Sequence, residues 1–256
     1  MEEGSHQIQV NQMIEIKSQL DPKLRKIISS KKQIAVIPVG SIEQHGPHLP
    51  ISTDSDIVTE VAKRICQKNN FLLLPTVHYG VSREHAPFFN LSLNETTLQR
   101  ILSDLCLSLF ENNIKTIFII NGHHGNLKAI KNIDKKLRKI LKNKIKVFVF
   151  SYWHYMKREF DHAGFVETSL MLAISNDVKM NLAKKGLITD GMSKQEINKL
   201  GRIAAKSFPK VTKNGIWGDP RKATKKDGQK IFNEIIDNLE KKCQTCLTER
   251  SSKFHQ

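Results

Sequence analysis

Residues 38–54 read PVGSIEQHGPHLPISTD. They follow the apolar run that starts at Ile34, Ile-Ala-Val-Ile-Pro, which reads as a buried strand. Acidic and imidazole side chains at the carboxyl end of a buried strand lie where α/β sheets open their binding crevice. Glu43 and His45 are two apart, so in an extended segment they share a side. With Asp54 close behind and Gly46, Pro47 and Pro50 as punctuation, the segment reads as a rigid metal-binding loop. A solvated polar loop is the alternative.

Two further clusters bear on that choice. Thr116–Ile120 is β-branched and apolar, a second buried strand, and it runs directly into Asn-Gly-His-His-Gly-Asn at 121–126. The third cluster, Asp-His-Ala-Gly-Phe-Val-Glu-Thr-Ser at 161–169, opens an apolar helix at Leu170 and places His162 and Glu167 near its start. Of ten histidines in 256 residues, five (His45, His48, His123, His124 and His162) fall in these segments, which chance would rarely arrange.

Together the segments resemble the creatininase family of metal-dependent amidohydrolases. The resemblance runs from about Ile37 to Leu239 and rests on the 38–54 stretch, YGVSREH at 79–85, NGHHGN at 121–126, HAGFVETS at 162–169 and GIWGDPRKAT at 215–224. It implies a three-layer α/β/α sandwich with a mostly parallel sheet, two divalent metal ions and hydrolysis of a C–N bond. It also implies that Glu43, His45, Asp54 and His123 are metal ligands, with Asp54 shared. Creatininase proper has a further carboxylate two residues after the histidine of the NGH motif, where this chain has Gly125. Glu167 is the expected replacement and fifth ligand. The family's FPGT segment departs to Phe88-Phe89-Asn90-Leu91, which leaves the substrate pocket undefined.

The residue types suit this chemistry. Imidazole and carboxylate ligands accept zinc, manganese or ferrous iron without cysteine. Such ions lower the pKa of bound water from about 16 towards about 7 and polarise a carbonyl. His162 is the candidate to protonate the leaving nitrogen, because imidazole titrates near neutrality; a supporting role beside the metals is its alternative. His48 reads as a group that orients the loop, His85 and His124 as pocket or loop residues, and His78 as a half-buried histidine. Trp153 and His154 read as pocket wall or packing, and Asp219 as a turn cap.

Composition bounds the rest. A chain of 256 residues without a low-complexity linker or internal repeat reads as one domain. There is no apolar run of membrane-spanning length and no basic-then-apolar start of the secretory kind, and four sparse cysteines fit a reducing cytoplasm. Cys243 and Cys246 read as incidental thiols at the end of a charged helix. The net charge of +16 is carried mostly by lysines in 131–146 and 179–230 without interleaved aromatics, so a Lys-rich surface is expected and nucleic acid is not.

Expected elements are helix 9–19, strand 34–38, helix 56–68, strand 71–77, and a helix capped by Asn94. Strand 116–120, helix 127–141, strand 145–151, the helix at Leu170 and a terminal helix 227–239 complete the order. This alternation implies a parallel sheet covered on both faces. The reading is an amidohydrolase acting on a non-peptide or cyclic small-molecule amide, in a symmetric homo-oligomer by resemblance. A formamide deformylase of archaeal flavin and deazaflavin biosynthesis and a cofactor-precursor peptidase are alternatives within the family. A basic nucleic-acid-binding or scaffold protein that lost catalysis is the alternative outside it.

Overall fold

The computed structural model describes residues 13–30 and 32–248. Its elements in chain order are β1 (Ile14–Glu15), α1 (Asp21–Ser30), β2 (Ile34–Val39), α2 (Thr53–Asn69), β3 (Leu72–Leu73), α3 (Glu95–Glu111) and β4 (Thr116–Asn121). They continue with α4 (Leu127–Ile130), α5 (Ile133–Ile140), β5 (Lys146–Ser151), α6 (Phe165–Ile174), α7 (Lys194–Ala204) and α8 (Lys225–Thr248). The five strands pair in the order β1-β3-β2-β4-β5, all parallel.

Alternation along the central strands builds the layers, since successive side chains leave a strand on opposite faces. Val36, Phe118, Ile120 and Phe150 pack with residues of α2, α6 and α8. Ala35, Ile37, Val39, Ile117, Ile119 and Val147 pack with residues of α3, α4 and α5. The result is the α/β/α sandwich expected from the alternating elements. Both faces of β2 and β4 are buried, which is why these strands read as unbroken apolar runs.

The central strands end together. Val39 lies beside Asn121, and Asn121 beside Ser151. The loops after β2, β4 and β5 therefore emerge side by side at the carboxyl end of the sheet. That common end positions the site.

Several boundaries differ from expectation. Of the expected helix 9–19, residues 9–12 lie outside the described residues; Ile14–Glu15 instead pair with β3, and Ile16–Ser18 form a 3-10 turn. An open strand edge outcompeted a short local helix. The strand expected over 71–77 keeps ladder pairing only at Leu72–Leu73, although Leu74 and Val77 still donate to the carbonyls of Val36 and Pro38. Pro75, which lacks an N–H, interrupts it. Helix 127–141 is two helices, broken at Lys131–Asn132, where Asn132 adopts φ 61°. The terminal helix extends to Thr248 because Ile231, Phe232, Ile235, Leu239, Cys243 and Cys246 continue one apolar stripe. Cys243 and Cys246 are buried in that stripe, where burial pushes the Cys243 thiol up to about 12. Asn94 sits at the N-cap of α3 but makes no side-chain cap bond. Helix α7 was not anticipated, although its capping box, Ser193 with Glu196, is an S-x-x-E signal.

Candidate active site

Five acidic and imidazole side chains converge above the strand ends: Glu43 and His45 from the loop after β2, Asp54 from the first turn of α2, His123 from the loop after β4, and Glu167 from the first turn of α6. All five are buried. Among the described residues, three groups of side chains could hold a cation: Glu43 and His45 with His162, and two that share Asp54. Of the latter, one is Glu43, Asp54 and His123; the other is His45, Asp54 and Glu167.

The imidazole tautomers are decided by backbone carbonyls, which can only accept. His45 Nδ1 donates to the carbonyl of Glu43 (3.1 Å) and His123 Nε2 to that of Val81 (2.9 Å). Their other nitrogens then carry lone pairs. His45 Nε2 lies 3.3 Å from Asp54 Oδ1 and 3.5 Å from Glu167 Oε2, and His123 Nδ1 lies 2.9 Å from Asp54 Oδ2. Lone pairs facing carboxylate oxygens repel unless a proton or a cation lies between them. His45 Nε2, Asp54 Oδ2 and Glu167 Oε1 are buried without a hydrogen-bond partner, while Glu43 Oε1 lies 3.0 Å from His85 Nε2. Buried polar atoms are ordinarily bonded. Imidazoles tied at the far nitrogen to a carbonyl are the usual arrangement around a metal, so the residues fit divalent cations.

Charge follows the same geometry. Burial opposes protonation of His45, but Asp54, Glu167 and Glu43 together raise its pKa to about 10. Burial pushes the Glu167 carboxyl up to about 8 despite His45. Glu167 is held by the N–H of Ala163, donated to Oε2 at 2.6 Å. Asp161 accepts from the N–H groups of Val166 (2.9 Å) and Glu167 (3.3 Å), capping α6 and so aiming Glu167. Burial raises the Asp161 carboxyl to about 7.

The loop 121–126 is held by its own asparagines. Asn121 accepts from the His123 N–H and donates to the His123 carbonyl. Asn126 donates to the Gly40 carbonyl (3.0 Å) and accepts from the Val81 N–H (2.9 Å). This ties the loop after β4 to segment 79–85, whose Val81 carbonyl orients His123.

His162 stands over the cluster. Its backbone pairs with Trp217, and its ring lies 4.3 Å from that of His45. Gln44 sets the protons here. Its Oε1 accepts from the Gly46 N–H, so Nε2 is the donor, bonding His85 Nδ1 (3.0 Å) and the Gly215 carbonyl (3.2 Å). His162 Nε2 lies between the Gln44 side-chain amide nitrogen (3.0 Å) and the Gln44 carbonyl (3.1 Å), and Nδ1 lies 3.9 Å from Glu43 Oε1. Burial, with His45 and His85 beside it, drives the His162 pKa well below its ordinary value, so the ring is neutral.

A cavity of about 190 Å³ opens over Glu43, Asp54, His123 and His162, walled by Phe160, Phe208 and Trp217 and by Gly201, Ala204 and Ala205 of α7 and its end. His85 and His124 line it. His48 does not; it bonds Thr168 Oγ1 at 2.8 Å beneath the site. Trp153 packs on Phe160 and stacks on His124, outside the lining. His154 is exposed, and so is His78, which was expected to be half buried: the chain leaves the sheet at Val77. Asp219 caps the 3-10 turn 220–222 through the Arg221 N–H. Segment 88–91 does not form the pocket; it runs beside the loop 42–44, with Gln44 donating to Phe89 and Leu91 to Ile42. Gln44, Asp161 and Glu84 were present in the quoted motifs but given no role, because their partners lie far away in the chain.

The fold and site define an α/β/α protein with a buried carboxylate–imidazole cation centre at the carboxyl end of a parallel sheet. Residues 20–243 match the family model described as Creatininase: Creatinine amidohydrolase, and the chain belongs to this family of amidohydrolases. It is 31% identical over 220 residues to the mycofactocin precursor peptide peptidase of Mycobacterium ulcerans (strain Agy99), covering 79% of this chain and 81% of that protein. It is 30% identical over 171 residues to the creatinine amidohydrolase of Pseudomonas putida, covering 57% and 65%. To the 2-amino-5-formylamino-6-ribosylaminopyrimidin-4(3H)-one 5'-monophosphate deformylase of Methanocaldococcus infernus it is 28% identical over 222 residues, covering 84% and 92%. The crystal structure of a creatinine amidohydrolase superposes with a TM-score of 0.76 at 20% identity, covering 90% of this chain and 96% of that one. Among the described residues, no helix is long and apolar enough to cross a membrane.

Proposed function

We propose that this amidohydrolase is binuclear, with one divalent ion held by Glu43, Asp54 and His123 and a second by His45, Asp54 and Glu167. The observation that carries the reading is the pair of imidazoles tied at their far nitrogens to backbone carbonyls and facing carboxylate oxygens at their near ones. Zinc, manganese and ferrous iron all suit this donor set. A solved creatininase form described as manganese-containing shares the fold at a TM-score of 0.74. When bound, the ions supply a lowered pKa for water and an electrophile for the carbonyl.

The chain's own residues then do the following. Phe160, Phe208 and Trp217 exclude water around the amide. Neutral His162, whose Nδ1 lies 3.9 Å from Glu43 Oε1, takes the proton of the attacking water. The protonated ring then passes it to the departing nitrogen. Gln44 and the Trp217 backbone hold the ring in place throughout.

The substrate is a small non-peptide or cyclic amide, which suits a cavity of about 190 Å³, below the usual range for larger ligands. The archaeal deformylase reading requires a cation for the substrate phosphate. No Lys or Arg is among the described lining residues; Lys199 and Arg202 line a neighbouring groove on α7. The cofactor-precursor peptidase reading is favoured by the 31% identity over most of the chain. A nucleic-acid-binding or scaffold role is disfavoured by the complete set of five cation-competent side chains. One creatininase-like domain, cytoplasmic and homo-oligomeric, completes the proposal.

The test loads purified protein with zinc, manganese or ferrous iron and screens cyclic amides, formamides and short peptides for release of amine. Near two equivalents of metal per chain and turnover of a small amide are expected. No bound metal by elemental analysis, or turnover of peptides alone, overturns the binuclear or the small-amide reading respectively.

A further inference from the structure

His85 lines the cavity but has no part in the steps above. It ends the 3-10 turn Arg83–His85 and is buried beside Phe208, with ring centroids 4.6 Å apart, and beside His162 at 4.9 Å. Its proton is placed by a chain of contacts that starts at a backbone group. The Gly46 N–H can only donate, so Gln44 Oε1 accepts from it (3.0 Å) and Gln44 Nε2 is the amide nitrogen. An amide nitrogen donates and does not accept, so His85 Nδ1, 3.0 Å away, is the acceptor. With Nδ1 as a lone pair, the ring carries its proton on Nε2, and Nε2 lies 3.0 Å from Glu43 Oε1. Ser41 Oγ donates to the other oxygen of the same carboxylate, Oε2, at 3.1 Å. Gly215 leaves room for this relay, because a Cβ there would overlap the Gln44 amide.

We infer that His85 is a positioning residue, which holds the Glu43 carboxylate for the cation of the group Glu43, Asp54 and His123. The inference rests on the binuclear reading above. Carboxylates that bind metals are ordinarily oriented by neighbouring donors. Each carboxylate oxygen offers two lone pairs, so contacts from His85 and Ser41 leave one on each oxygen for a cation. The carboxylate of the enclosed group, Glu167, is held instead by the Ala163 N–H. Loss of His85 should therefore reach one ion and spare the other.

The test titrates metal-stripped full-length chains with zinc by calorimetry, with circular dichroism to confirm folding. The wild type should show two binding events. His85→Phe keeps a ring against Phe208 but has no N–H; it should weaken one event about 10- to 100-fold and leave the other unchanged. His85→Gln returns an N–H to the place of Nε2 and should bind close to the wild type. Should His85→Phe fail to fold, His85→Asn carries the test: it can still accept from Gln44 but falls short of Glu43, so it should weaken the same event. Arg83→Ala, exposed on the same turn, should change neither. Proton–nitrogen correlation spectra of the imidazoles should show His85 protonated on Nε2 in the metal-free wild type. Wild-type affinity in His85→Phe or His85→Asn, equal weakening of both events, equal weakening in His85→Gln, or a proton on Nδ1 of His85 overturns the inference and leaves the binuclear centre standing. A wild type that binds no zinc, manganese or ferrous iron overturns both.

Discussion

The two halves of the site share Asp54 and differ in what surrounds them. Glu43, Asp54 and His123 border the cavity, together with Glu84 and His124. His45 and Glu167 do not border it; they are fully buried under the start of α6, where the Ala163 N–H and the Asp161 cap hold the Glu167 carboxylate and backbone. One half borders the cavity. The other is enclosed and built from a helix terminus. The difference teaches that backbone groups orient side chains in both halves, a loop carbonyl holding His123 in one and a helix terminus holding Glu167 in the other.

The change that breaks the comparison outright is Asp54→Ala, because in the proposed centre it removes a ligand from both halves. Metal at 100 times its dissociation constant should stabilise the wild type by about 2.7 kcal/mol. The variant should show almost none of this in thermal melts with and without zinc. Retention of the full stabilisation would mean that the halves do not share Asp54.

His162→Ala separates chemistry from metal. His162 faces the open half, so its loss should lower kcat by about 10²- to 10⁴-fold while elemental analysis finds the wild-type metal content. The loss should shrink for amides with good leaving groups. Loss of metal instead of rate would place His162 among the groups that hold the cations.

Glu167→Gln sharpens the contrast by weakening only the enclosed half. Competitive chelation should show one ion held about 10- to 100-fold less tightly and the other unchanged. If both ions keep wild-type affinity, Glu167 is a carboxylate favoured by the α6 N-terminus and no more.

A surface pair gives the smallest effect. Asp219 bonds Arg221 at 2.7 and 2.8 Å, as close as any pair in the site, yet both are solvated. Arg221→Ala should cost under about 1 kcal/mol in urea denaturation at neutral pH. The Arg221 side chain holds the Asp219 pKa down to about 2, from 3.8. A depressed carboxylate stabilises the fold above its unfolded pKa, so the difference between variant and wild type should vanish as pH falls from about 4 to about 2. An effect of several kcal/mol would show that closeness, and not burial, governs the energetics of charged pairs here.

What the amino-acid order determined by itself was local. Apolar runs at 34–38 and 116–120 bury both faces of the central strands, and the motifs beyond them put Glu43, His45, Asp54 and His123 at the strand ends. Only tertiary structure decided the rest. The edge pairing of Ile14–Glu15 depends on β3, and the break at Asn132 on how α4 and α5 pack on the sheet. Gln44 acquires its role from His85, His162 and Gly215. Periodicity reports burial along one element, because the side-chain repeat is set by that element's own backbone. A hydrogen bond or a shared cation between residues a hundred apart leaves no such repeat, and appears only when the sheet brings the loops together.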